Sequence, residues 1–202
     1  MRVLIWRMGA FAPSPLLDAE LEARIVREVV DPVIAGMRAE GHPYRGFLYC
    51  GLMLTSDGPR VIEFNVRFGD PEAQAILPLL TGPFAETLLA AARGDVSRSS
   101  LAIDRQCAVG VVVASGGYPD VFETGKPIHG LDEAAAVPGV LVFHAGTATR
   151  DGQIVTSGGR ILTVVGRAAD FRQATAHAYD AVDRITFERK HVRRDIGRKA
   201  LA

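Results

Sequence analysis

The stretch Val61-Ile62-Glu63-Phe64-Asn65-Val66-Arg67-Phe68 constrains this chain more than any other. Apolar and polar residues alternate along it, which is the two-residue period of a half-buried strand. That period sends Ile62, Phe64, Val66 and Phe68 to one face, where they are expected to build core. Glu63, Asn65 and Arg67 go to the other. A carboxylate, an amide and a guanidinium in a row are the groups needed to hold a divalent cation and the phosphates it bridges. Magnesium takes hard oxygen ligands and keeps several waters, so one Glu and one Asn suffice as the protein's share. Arg67 adds a planar fork suited to a phosphate oxygen. An ordinary solvated strand face would read the same way, but Thr and Lys are commoner there. Here, moreover, Gly69-Asp70-Pro71-Glu72 follows, with a cap residue before a proline. A helix is therefore predicted from Pro71, and its N-terminus favours anions.

Upstream, the glycine and prolines of Met8-Gly9-Ala10-Phe11-Ala12-Pro13-Ser14-Pro15 predict a shaped loop without regular structure. Asp18 is placed to cap a helix carrying Leu21, Ile25 and Val29 on one stripe; Pro32 should kink or break it, and Gly41 should end it. Residues 46–55 and 60–68 read as a hairpin about the turn Ser56-Asp57-Gly58-Pro59. Pro78 limits the helix from Pro71, a further helix runs from Pro83 to Arg93 before Gly94, and the polar stretch Asp95–Ser100 is the candidate linker.

Beyond it, Cys107–Ala114, Val140–His144, Gln153–Thr156 and Arg160–Val165 are strand-like runs between glycine turns, and a helix spans Ala169–Ile185. The fold class is α+β, with a basic tail over Lys190–Lys199 read as a solvated helix face.

Lysine plus arginine and aspartate plus glutamate both number 23 in 202 residues, so no charge excess points to nucleic acid or a membrane surface. No apolar run approaches the roughly 20 residues of a membrane helix, and the first residues lack the pattern of a signal peptide. A cytoplasmic protein is the expectation. Cys50 and Cys107 sit in apolar strand-like runs and are expected as buried thiols. The five histidines show no metal-ligand spacing, and the serine of Ala114-Ser115-Gly116-Gly117 lacks the surroundings of a nucleophile elbow.

Two long runs, Tyr44-Arg45-Gly46-Phe47-Leu48-Tyr49-Cys50-Gly51-Leu52-Met53 and the stretch from Gly58 to Glu72, closely resemble the signature of the glycinamide ribonucleotide synthetases, ATP-grasp ligases of purine biosynthesis. Met8-Gly9-Ala10-Phe11-Ala12-Pro13 resembles that family's preceding loop. Ala114–Pro119, Phe143–Thr147, Thr156–Arg160 and Arg194–Gly197 resemble its carboxy-terminal domain, in the family's order.

The resemblance implies the carboxy-terminal part of an ATP-grasp domain, an antiparallel sheet with helices over residues 1–100, followed by a small α+β domain over 101–202. It implies a reaction in which ATP phosphorylates the carboxylate of glycine and the amine of 5-phosphoribosylamine displaces phosphate from the acyl phosphate. Glu63 and Asn65 then become ligands of Mg²⁺ or Mn²⁺, and Arg67 a contact to the transferring phosphoryl group. Asp70 lies beside the substrate amine or ribose, with a plain helix cap as the competing explanation. Gly158, Gly159 and Arg160 line the phosphoribosylamine side, where a tight turn explains the same residues. The family's amino-terminal domain and the lobes closing over ATP are not in this sequence, so the chain alone is expected to be inactive or to need a complementary polypeptide. A non-catalytic binding or scaffold module is the alternative. Residues 1–7, where the family usually shows paired glycines, are expected to be foreign to it.

Overall fold

The computed structural model describes residues 8–201, except the side chain of Lys199; the reading of residues 1–7 as foreign falls outside these. In chain order the elements are β1 (Gly9–Ala12), α1 (Ala19–Ile25), a π turn (Val26–Val30), α2 (Asp31–Ala39), β2 (Tyr49–Thr55), β3 (Gly58–Asn65) and α3 (Glu72–Ile76) with a 3₁₀ turn (Leu77–Leu79). Then come β4 (Leu80–Thr81), α4 (Phe84–Arg93), β5 (Ala102–Ile103), β6 (Cys107–Ser115), α5 (Leu131–Ala135), β7 (Val140–His144), β8 (Thr147–Arg150), β9 (Gln153–Thr156), β10 (Arg160–Ala168), α6 (Phe171–Arg184), β11 (Lys190–Val192) and a 3₁₀ turn (Arg198–Ala200). Helices mixed with antiparallel sheets make the chain α+β, as expected. Two compact units emerge. One comprises the described residues up to Pro13, Asp70–Leu79 and those from Arg105 onward; the other comprises Ser14–Gly69 and Leu80–Asp104.

The first unit is built on an antiparallel sheet in the order β1-β6-β10-β7, with β11 also on β6. β6, Cys-Ala-Val-Gly-Val-Val-Val-Ala-Ser, is apolar at nearly every position because both its faces are covered. Val109, Val111 and Val113 share a core with Ala174, Ala178, Ala181 and Val182 of α6. Ala108 packs with Ala75 and Leu79, and Val112 and Ala114 with Met8. The carboxylate of Asp170 caps α6 by accepting from the Gln173 N–H at 2.8 Å. Contact between α6 and the sheet is close because β10 carries Gly166, where a Cβ would lie 2.3 Å from the Ala174 carbonyl oxygen.

Two expectations fail in this unit. Gly9–Ala12 is not loop but strand, paired with residues 108–111 of β6. Gly9 permits it, since a Cβ there would collide with Ile196. The basic tail is not a helix face: Lys190–Val192 extends along Val113–Ser115, and Lys190 Nζ donates to the carbonyls of Val182 and Ile185 at the end of α6. Arg194 pairs with Asp183, and Arg193 with Asp195.

In the second unit, the chain stays helical through Pro32 instead of breaking. Immediately before it the Asp31 N–H bonds the Val26 carbonyl, five residues back, and this π turn absorbs the missing proline donor. Arg24 of α1 donates to the Asp57 carbonyl in the β2–β3 turn at 2.9 Å. The stretch after Gly94 is tied down as well, by a 2.9 Å hydrogen bond between the Ser99 and Thr87 hydroxyls. Cys50 and Cys107 are partly exposed, not buried as expected; the desolvation they retain pushes both thiols up. No helix among the described residues is long and apolar enough to cross a membrane.

Candidate metal and phosphate site

β3 pairs with β2 in a two-stranded hairpin whose register places Gly51 opposite Glu63 and Tyr49 opposite Asn65. Between them and the turn the register slips, because Leu52 faces Val61 and Ile62 is left over as a bulge. Glu63 and Asn65 lie on the turn-distal side of the bulge, two residues apart, and so share a face. Gly51 makes room for that arrangement: a Cβ at 51 would stand 3.0 Å from Glu63 Cγ. The position was not singled out from sequence, although a glycine inside a strand pattern is a known sign of close approach.

The strand ends at Asn65, so Arg67 is not the third member of a straight row as expected. Residues 66 and 67 form a bend that turns the guanidinium back. Nη2 donates to Asn65 Oδ1 at 3.3 Å and Nη1 to the Phe68 carbonyl at 2.8 Å. Phe68 is anchored between Phe47 and Phe84, with ring centroids 4.2 and 6.4 Å away.

The apolar side of the stretch departs from expectation. Phe68 packs as anticipated, but Ile62, Phe64 and Val66 are 44%, 40% and 76% exposed, and Val61, Met53 and Leu54 are exposed beside them. The alternation was real, but Ile62, Phe64 and Val66 do not build a core among the described residues.

No group of three or more His, Cys, Asp or Glu residues gathers into a metal cluster among the described residues. The donors on the shared face of β3 are one carboxylate and one amide oxygen, a set that would fit a hard cation retaining several waters and does not fit zinc.

In the first unit Asp70 does not cap α3. Pro71 occupies that place with no side-chain cap bond, and the helix starts at Glu72. The Asp70 carboxylate instead meets Arg160, with Nη2 2.5 Å from Oδ2, while Gln74 Nε2 lies 3.4 Å from Oδ1. Arg160 therefore has a carboxylate partner in its own unit. Gly158 and Gly159 are held by Ser115, whose hydroxyl donates to the Gly158 carbonyl and whose N–H donates to that of Gly159. Both glycines have packing reasons: Gly158 stands against Gly146, and a Cβ at Gly159 would strike the Tyr118 ring.

Two models of one family match the chain. The phosphoribosylglycinamide synthetase ATP-grasp (A) domain matches residues 6–73, and the phosphoribosylglycinamide synthetase C domain matches residues 108–199. A phosphoribosylamine–glycine ligase from Chlorobaculum tepidum is 47% identical over 194 residues, covering 96% of this chain and 46% of that protein. The crystal structure of a phosphoribosylamine–glycine ligase from Thermotoga maritima superposes with a TM-score of 0.78 at 37% identity, covering 93% of this chain and 46% of that one. N5-carboxyaminoimidazole ribonucleotide synthetase from the same organism shares the fold, with a TM-score of 0.60 at 18% identity, covering 89% of this chain and 45% of that one. The chain spans about half the length of the curated relatives it matches. Matched in sequence along nearly its whole length, it belongs to the phosphoribosylglycinamide synthetase family, an ATP-grasp family of enzymes.

Proposed function

We propose that this chain is the metal- and phosphate-holding part of an ATP-dependent ligase that joins glycine to 5-phosphoribosylamine, and that its activity needs the other half of such an enzyme, carried on the same or another polypeptide. The observation that carries this reading is the shared face of Glu63 and Asn65 on β3, with the Arg67 guanidinium folded beside it. Glu63 and Asn65 hold Mg²⁺ or Mn²⁺ through oxygen. When bound, the cation neutralises charge on the phosphates of ATP as the terminal phosphoryl group passes to the glycine carboxylate. Arg67 contacts that phosphoryl group through its fork. Asp70, oriented by Arg160 and Gln74, accepts a hydrogen bond from the amine of phosphoribosylamine, and the Gly158-Gly159 turn fixes Arg160 on that side. Residues 1–100 then contribute the ATP-grasp part and 101–202 the C domain, a division that the two family matches support.

The other half is part of the proposal because a two-stranded hairpin is marginal alone and this one exposes Val61, Ile62, Phe64 and Val66 together. Neither nucleic acid nor membrane belongs to the reading, and the cytoplasm is the compartment it implies. The test follows thermal stability of the chain with Mg²⁺-ATP, and glycine- and phosphoribosylamine-dependent ADP release, each with and without a polypeptide carrying the remaining half. A ligand of the native state must raise the melting temperature; Glu63→Gln and Asn65→Ala should abolish both signals. No shift at millimolar nucleotide in either mixture would leave the non-catalytic scaffold as the reading.

A further inference from the structure

We infer that Arg67 is a built-in competitor of the cation, and that its departure from Asn65 couples divalent-ion binding to phosphate binding. The inference rests on the metal reading of Glu63 and Asn65 and concerns what Arg67 does to that pair. The Asn65 side chain has one oxygen able to ligate a hard cation, and that atom already accepts from Arg67 Nη2 at 3.3 Å. The guanidinium is held from a second direction, because Nη1 donates to the Phe68 carbonyl at 2.8 Å. The aromatic contacts of Phe68 with Phe47 and Phe84 fix that carbonyl. This position is therefore a defined one, with both ends of the fork engaged.

A magnesium ion binds an oxygen at about 2.0–2.1 Å, so an ion on Asn65 Oδ1 would face the positive guanidinium at close range. The two compete electrostatically for one oxygen. A phosphate removes the conflict: its oxygens accept from the guanidinium and ligate the ion at once, so Arg67 transfers from Asn65 to the anion as the ion takes its place. Cation and anion thereby favour each other, and the coupling runs equally in both directions. Lysine at 67 would keep the charge without the fork that spans Asn65 and Phe68.

The experiment titrates Mn²⁺ into the full chain at low ionic strength and reads free Mn²⁺ by electron paramagnetic resonance, for wild type, Arg67→Met, Arg67→Gln, Arg67→Lys and Asn65→Ala. Without added anion, Arg67→Met and Arg67→Gln should bind Mn²⁺ about tenfold more tightly than wild type, with Arg67→Lys near wild type and Asn65→Ala weakest. Inorganic sulfate should tighten Mn²⁺ binding to wild type and leave the two neutral variants unchanged. The difference between variants should shrink as potassium chloride is raised. If the neutral variants bind no more tightly than wild type while Asn65→Ala still weakens binding, the competition is refuted and the metal reading survives. If Arg67→Lys binds as tightly as Arg67→Met, charge is not the competitor and the inference fails. Mn²⁺ binding that is absent from every variant, or indifferent to Asn65→Ala, would overturn the metal reading and this inference with it.

Discussion

The Arg160 guanidinium closes on the Asp70 carboxylate across 90 positions of chain, with Nη2 2.5 Å from Oδ2 and Nη1 3.3 Å from the Asp70 carbonyl oxygen. A fork engaging side chain and backbone of one residue sets the direction of the carboxylate, while its partial exposure limits what the pair adds to stability. Double-mutant cycles with Asp70→Asn and Arg160→Met in urea should give a coupling of roughly 0.2–1 kcal/mol. On the proposed reading, Arg160→Met in a full-length ligase should lower kcat by about 10- to 100-fold through misplacement of Asp70, with partial rescue by Arg160→Lys. Equal losses in kcat and stability would mark the pair as structural only.

Gly51 offers a second test of geometry, at the face proposed to hold the metal. Glu63 lies across it, and a Cβ there would come within 3.0 Å of Glu63 Cγ and 3.4 Å of the Tyr49 ring. Gly51→Val should turn the Glu63 carboxylate away and weaken Mn²⁺ binding by about tenfold, since a ligand displaced by a fraction of an ångström no longer meets the ion's geometry. Calorimetric titration of Mn²⁺ checks this, and unchanged affinity would remove Gly51 from the site.

Much of the sheet was legible because its signals are local. Val140–His144 and Gln153–Thr156 form strands with the predicted bounds, and the helix capped by Asp170 lies within the predicted Ala169–Ile185. Elements resting on distant partners were not. Gly9–Ala12 is a strand only because β6 lies beside it, and Lys190–Val192 only because the far end of β6 is open to it. At the candidate site, the period of two announced the strand that carries Glu63 and Asn65 but gave no sign of the bulge at Ile62 or of the bend that turns Arg67 back. Nor does residue type reveal that Arg160 would meet Asp70 and not present an unengaged fork, because that pairing joins segments far apart in the chain.

Close approach of α6 to β10 makes Gly166 a sensitive position. An added Cβ would stand 2.3 Å from the Ala174 carbonyl oxygen and 2.5 Å from the Ala178 nitrogen, both backbone atoms that yield only if the helix moves. Gly166→Ala should therefore cost roughly 3 kcal/mol. Gly152 is the control: its φ of +75° is strained for alanine, yet a Cβ there would meet nothing within 4 Å, so Gly152→Ala should cost only about 1 kcal/mol. Urea denaturation of both variants separates the steric penalty from the conformational one.

Tyr179 latches the tail onto α6, and its phenol makes that latch sensitive to alkali. The hydroxyl accepts from the Ile196 N–H at 2.9 Å and donates to the Arg193 carbonyl at 3.0 Å, with the Arg194 guanidinium 5.6 Å from the ring centroid. Ile196 in turn lies against Gly9 of β1. Tyr179→Phe leaves both backbone groups without their partner and should cost about 1–3 kcal/mol in urea denaturation near neutral pH. Burial, the largest influence, pushes the phenol above its ordinary value, with the Asp195 charge adding to the rise and the Ile196 N–H and neighbouring arginines opposing it. A group whose value is raised on folding binds its proton more tightly in the native state. Its contribution is thus complete below the ordinary tyrosine value of about 10 and is lost as pH climbs through the raised one. Ionised, the oxygen can no longer donate to Arg193. The stability gap between wild type and Tyr179→Phe should accordingly hold constant from pH 7 to 9 and narrow above 10, whereas a gap that widens in alkali would mean that the phenolate is the form the fold prefers.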